Sequence, residues 1–156
     1  MAYGSKKIGI PPAEAVGFKS SVRVLMSATQ TISPDTITIV NFDDVGEDGL
    51  GEFNAATHKF IPKETGTYLL IFSACWQSAT VEADKKIRAS IFVGSFGLSF
   101  EDKHTAIADW IVGKTMIIRK LNAGREITAR VEQGGTGDWT LGNSTDGNYF
   151  EAHRIA

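Results

Sequence analysis

Residues 66–77 read Gly-Thr-Tyr-Leu-Leu-Ile-Phe-Ser-Ala-Cys-Trp-Gln, and this stretch limits the fold more than any other. In an extended chain, successive side chains point to opposite faces. Tyr68, Leu70, Phe72, Ala74 and Trp76 then share one face, and Leu69, Ile71, Ser73 and Cys75 share the other. Both faces are largely apolar, whereas a half-exposed antiparallel strand carries one polar face. One face packs a core. The other needs a cover, either another part of the same chain or a symmetric neighbour.

Strand and turn patterns continue on both sides of this stretch. Val22, Val24 and Met26 alternate with more polar neighbours, and Thr36 to Phe42 is dense in β-branched residues. The acidic run Asp43 to Gly49 reads as a loop. Phe53 to Ile61, Lys86 to Phe96 and Asn148 to Ile155 read as further strands. Met116 to Leu121 and Glu126 to Val131 flank Asn122-Ala123-Gly124, the pattern of a hairpin. Short helices are expected at most around Pro12–Val16 and Thr80–Lys86. Turn signals at this frequency predict an all-β sandwich or barrel. Residues 1–20, rich in Pro, Lys and small residues, read as an arm or linker, and residues 21–156 as the domain.

Composition excludes several function classes. The chain has 156 residues, enough for one real core. Its formal net charge of -2 gives no electrostatic reason to expect a nucleic-acid partner or a polybasic membrane segment. No run approaches the ~20 apolar residues that span a bilayer. Lys6 and Lys7 imitate the start of a signal peptide, but Pro11, Pro12 and Glu14 interrupt the apolar region that should follow. Cys75 is the single cysteine, so no intrachain disulfide staples the domain.

A search for chemistry returns little. His58, His104 and His153 lie at no metal-ligand spacing, and no acid–base or nucleophile constellation appears. Cys75 sits in the apolar strand, where a thiol is inert. Gly134-Gly135-Thr136-Gly137 lacks the helix and Lys that a phosphate cradle needs. Neither a catalytic residue nor a cofactor site is expected. Asp43, Asp44 and Asp48 are candidate Ca²⁺ ligands on their carboxylates alone, set against a plain solvated loop. Trp139, with Asn143 and Asp146 in the polar loop after it, is a candidate ligand loop, set against Trp139 packing into the domain.

Phe42, Asp48, Phe53, Phe60, Gly66, Tyr68, Leu70 and Phe72 keep every gap of the C1q-domain signature, with Leu70 standing where the pattern has Phe. Leu121 to Ile127 is similar to the family's late hairpin, and Tyr149-Phe150-Glu151-Ala152-His153 to its closing strand. Over residues 22–156 the chain resembles C1q-like globular heads, and with them the tumour-necrosis-factor-like heads. The resemblance implies a ten-stranded jelly-roll sandwich, non-enzymatic and homotrimeric, with Tyr68, Leu70 and Phe72 as its trimer interface or core stripe. Gly4, Gly9 and Gly17 keep no Gly-X-Y register, so the likeness extends to stalkless heads of phage virions and bacterial fibres. The implied role is a virion protein, a capsid decoration or fibre head. Residues 1–20 would meet capsid or tail proteins, and the far loops a host-surface glycan or protein. The alternative is a bacterial or animal ligand-binding head outside virions, extracellular or at a cell surface.

Overall fold

Alternation at period two becomes thirteen strand segments among the described residues, with no helix. A computed structural model describes residues 20–77, 79–106, 109–142 and 147–156. The strands form two sheets. The first is built on β7 (Gly66–Trp76). On one side β7 pairs along its whole length with β10 (Ile111–Leu121). On the other it pairs with β13 (Tyr149–Arg154) and, at Trp76, with β12 (Trp139–Leu141). Beyond β13 come β1 (Ser21–Leu25) and β4 (Asp44–Asp48), and β12 carries β2 (Gln30–Ile32). The second sheet runs β5 (Phe53–Asn54), β6 (Lys59–Phe60), β11 (Ile127–Gln133), β8 (Lys86–Val93) and β9 (Phe96–His104), with β3 (Thr38–Ile39) also on β11. Every pairing is antiparallel, and the result is a jelly-roll sandwich.

The core lies between the two sheets. Tyr68, Leu70, Phe72, Ala74 and Trp76 are fully buried there. Phe42 meets Phe72 edge-on at 6.0 Å, and Phe60 meets Tyr68 at 5.8 Å. Each of these rings contributes a few kcal/mol at roughly 25 cal/mol per Å² of buried apolar area. Asp48 shapes the chain between them, accepting hydrogen bonds from the backbone N–H of Glu52 and Phe53 at 2.8 and 2.9 Å.

Gly66 serves space. A Cβ there would lie 2.4 Å from Arg154 Nε and 2.7 Å from the Ala156 carbonyl oxygen, so the closing strand can seat only against glycine.

Four local expectations are corrected. Asp44–Asp48 is a strand, not a loop, pairing with β1 across a register shift at Arg23/Val24. It is an edge strand, mostly exposed, so it needs no apolar residues to be extended. Thr36 to Phe42 yields only the short β3. Asn122-Ala123-Gly124 is no hairpin: β10 belongs to the first sheet and β11 to the second, so this turn crosses between layers. The true two-residue hairpin is Gly94-Ser95 between β8 and β9, with Gly94 at φ 59°. Thr80–Lys86 forms no helix; Asp84 sits at φ 56°, outside the helical region. The other helix candidate, Pro12–Val16, lies outside the described residues, as does residues 1–19 of the expected arm.

Candidate functional site: an apolar sheet face

The two faces of β7 have different fates. Its even residues fill the core, while Leu69 and Ile71 on the opposite parity remain half-buried. Directly opposite Leu69 on β10 stands Ile118, and opposite Ile71 stands Met116. These β10 side chains are 61% and 63% exposed, and Val112, opposite Cys75, is 40% exposed. Single exposed apolar residues are ordinary; a contiguous patch across two paired strands marks an interaction surface.

The same face becomes polar away from β10. Beyond Ile71 the row continues to Glu151 on β13 and Arg23 on β1, whose side chains pair at 2.6 Å. Beyond Ser73 it reaches Tyr149. The guanidinium of Arg23 and the ammonium of Lys114 lie 5.2 and 5.1 Å from that ring's centre. The sheet thus carries a mainly apolar half on β10 and β7, interrupted by Lys114 between Val112 and Met116, and a charged half on β13 and β1.

β10 is the edge of its sheet, and β9 the edge of the other, on the same side of the sandwich. Side chains of β9 close β10's outward backbone. Lys103 Nζ donates to Val112 O at 2.8 Å, Ser99 Oγ to Met116 O at 3.3 Å, and the Lys114 N–H donates to the Glu101 carboxylate. Backbone groups of Val112, Lys114 and Met116 on this edge are thereby engaged within the chain. Trp110, just before β10, is 54% exposed; Phe100 of β9, 52% exposed, packs instead against Phe92 and Arg88 on the outer face of the second sheet.

The other candidates fall elsewhere. Tyr68, Leu70 and Phe72 are core residues and present nothing to the surface. Trp139, expected at an exposed loop, is fully buried and stacks edge-on against Trp76 at 5.8 Å. Its ring is therefore part of the core and offers no ligand platform. Asn143 and Asp146 lie outside the described residues. The three aspartates do not converge on one point. Asp43 accepts from the Ser27 N–H and Oγ at 2.8 and 2.7 Å, which holds its carboxyl below the usual range. Asp48 is spent on backbone donors, and Asp44 is exposed. Among the described residues no group of three or more His, Cys, Asp or Glu side chains is placed to hold a metal. Burial pushes the Cys75 thiol up, and no helix is long and apolar enough to cross a membrane.

The Gly134–Gly137 loop is pinned. The Glu82 carboxylate accepts from the N–H groups of Thr136 and Gly137 at 2.8 and 3.3 Å, and these bonds hold it below the usual range.

Sequence reading missed Met116 and Ile118. The signal was available: Ile117 and Ile118 are adjacent, so both parities of that strand are apolar, as in β7.

No family model matches the chain, and no curated protein matches it. Solved structures do. Murine APRIL at pH 5.0 superposes with a TM-score of 0.67 at 13% identity, over 87% of this chain and 98% of that one. The globular domain of zebrafish complement 1qA gives 0.61 at 19% identity, over 88% and 98%. The Eiger TNF of S. frugiperda gives 0.57 at 12%, over 88% and 92%. With the Phe42–Phe72 ladder in the core and this two-sheet topology, the chain has the jelly-roll fold of the C1q- and TNF-like globular heads.

Proposed function

We propose that the chain is a non-enzymatic recognition head that assembles as a homotrimer through the outer face of β7 and β10. The observation that carries this is the patch of Leu69, Ile71, Val112, Met116 and Ile118, left open on a protomer whose core is otherwise complete. Its occupant is a second copy. The apolar half of the face, with the exposed Trp110 just before β10, offers the desolvated centre that a stable interface requires. The charged half, with Arg23, Tyr149 and Glu151, supplies a polar rim. The resemblance to trimeric heads sets the number at three.

Multi-angle light scattering tests the assembly. A mass of three chains at micromolar concentration is expected; a stable monomer there overturns the reading.

The finer reading is a head carried on a bacteriophage virion, as a capsid decoration or fibre head. It draws on the Tyr149–His153 ending, which is similar to that of such heads. Mass spectrometry of purified particles tests it: stoichiometric presence supports the virion role, and absence from particles favours a head used elsewhere.

A further inference from the structure

At one end of the sandwich the β8–β9 hairpin faces the turn that crosses from β10 to β11. Between them lies a cleft of about 270 Å³, lined on one side by Val93, Phe96 and Leu98 and on the other by Arg119, Lys120 and Arg125. A shallower depression continues from it past Gly94, Ser95 and Glu126.

The charge of this cleft is not neutralised. Many cations elsewhere are matched: Arg23 with Glu151, Arg88 with Asp102 and Glu132, Lys103 with Glu101, and Arg154 with Glu64. Those without an ion pair among the described residues, such as Lys63, Lys85 and Lys114, are scattered and not gathered at one cleft. Glu126, the one carboxylate at the rim, is already held by Lys59 at 2.7 Å. Among the described residues Arg119, Lys120 and Arg125 have no ion-pair partner. Three uncompensated positive charges at one cleft, in a chain of net charge -2, form a local reversal of the overall field.

The apolar wall has an equally specific character. Phe96 is 74% exposed, the highest value among the large apolar residues left outside the core. The hairpin fixes its place: Phe96 pairs with Val93 across the Gly94-Ser95 turn. An exposed aromatic ring beside guanidinium groups suits a ligand with two parts. Guanidinium forks take an oxyanion in paired hydrogen bonds, and the ring takes an apolar or C–H-rich face.

We propose that this cleft binds an acidic sugar, with Arg119 and Arg125 on its carboxylate or sulfate, Lys120 adding charge, and Phe96 against the ring. The cleft is formed within one chain, so the site goes beyond the proposed assembly, with Lys120 at the margin of that face two residues from Ile118. The oxyanion chemistry is shared by a free acidic monosaccharide and by the acidic units of a surface glycan, and the test separates these two sources.

The experiment is ligand-observed NMR on the full chain, with glucuronate, glucose and an oligosaccharide of alternating uronic acid units as probes. Glucuronate is expected to bind and glucose to fail. Arg119→Gln and Arg125→Gln should each weaken glucuronate binding about tenfold, the usual effect of losing one charge-assisted hydrogen bond. Phe96→Ser should weaken it with no change in net charge. Lys85→Gln, which removes a charge at the opposite end of the sandwich, should leave binding unchanged. Tighter binding of the oligosaccharide assigns a glycan as the source, and equal affinity per unit assigns a free small acid. Absence of glucuronate binding at millimolar concentration overturns the proposal, as does an equal loss in Lys85→Gln, which would mean general surface charge. Light scattering on each variant separates a failure here from a failure to assemble.

Discussion

Asn148 shows how much of this fold rests on one amide. It is fully buried between the end of β7 and the start of β13. Its Oδ1 accepts from the Cys75 N–H at 2.7 Å, and its Nδ2 donates to the carbonyls of Gly142 at 2.5 Å and Cys75 at 3.4 Å. Asn148→Ala orphans the buried Cys75 N–H on β7 and the Gly142 carbonyl just after β12, and should cost about 1–3 kcal/mol or more. Urea unfolding followed by tryptophan fluorescence measures this; an unchanged midpoint would mean water satisfies those groups. Asp43 makes a second residue-scale case. Its bonds to Ser27 depress its pKa, so their stabilisation is present above the unfolded value and is lost as pH falls through the folded one. Asp102, depressed by its bond to Arg88, acts in the same direction. Melting temperature should therefore drop below about pH 4. Asp43→Asn should flatten that acid limb while leaving the fold intact at neutral pH. The sequence displayed both residues without these roles, because Asn148 reads as the polar first residue of the closing strand and Asp43 as one more acid in an acidic run.

At the scale of elements, sequence pattern reports burial, not pairing. β7 was legible because both its faces are apolar, and the ladder from Phe42 to Phe72 because buried aromatics at fixed gaps constrain the chain strongly. β4 was not, since an exposed edge strand places no demand on hydrophobicity and an acidic run reads the same in a loop. Gly124, at φ 76°, announced a turn correctly; a turn signal does not say whether the next strand returns to the same sheet. β10 carries the element-scale prediction. Ile118→Lys places a charge in the open patch, directly opposite Leu69. It should convert the trimer to a folded monomer with native far-ultraviolet circular dichroism, since position 118 takes no part in the core. A variant that still assembles would place the interface elsewhere.

Considered whole, the molecule separates its surfaces. Its apolar face lies on β7 and β10, its acidic edge on β4 at the opposite side of that sheet, and its basic cleft at one end. The near-neutral composition concealed this, since a sum over residues has no geometry. The fold could be read from sequence because a core is shared by all heads of this shape and leaves a repeated pattern. The surfaces could not, because each uses residues that a soluble protein places outside for many other reasons.

The hydrogen bonds that Ser99 and Lys103 donate to the backbone of β10, and the one Glu101 accepts from it, have a consequence for how such a molecule survives at high concentration. A long strand with apolar side chains and open backbone groups is a seed for cross-β growth, which has no natural end. Here the side chains stay exposed while the backbone beneath them is already engaged at Val112, Lys114 and Met116. A strand added along that edge would first have to displace those bonds, whereas the proposed trimer would close through side chains into a finite ring.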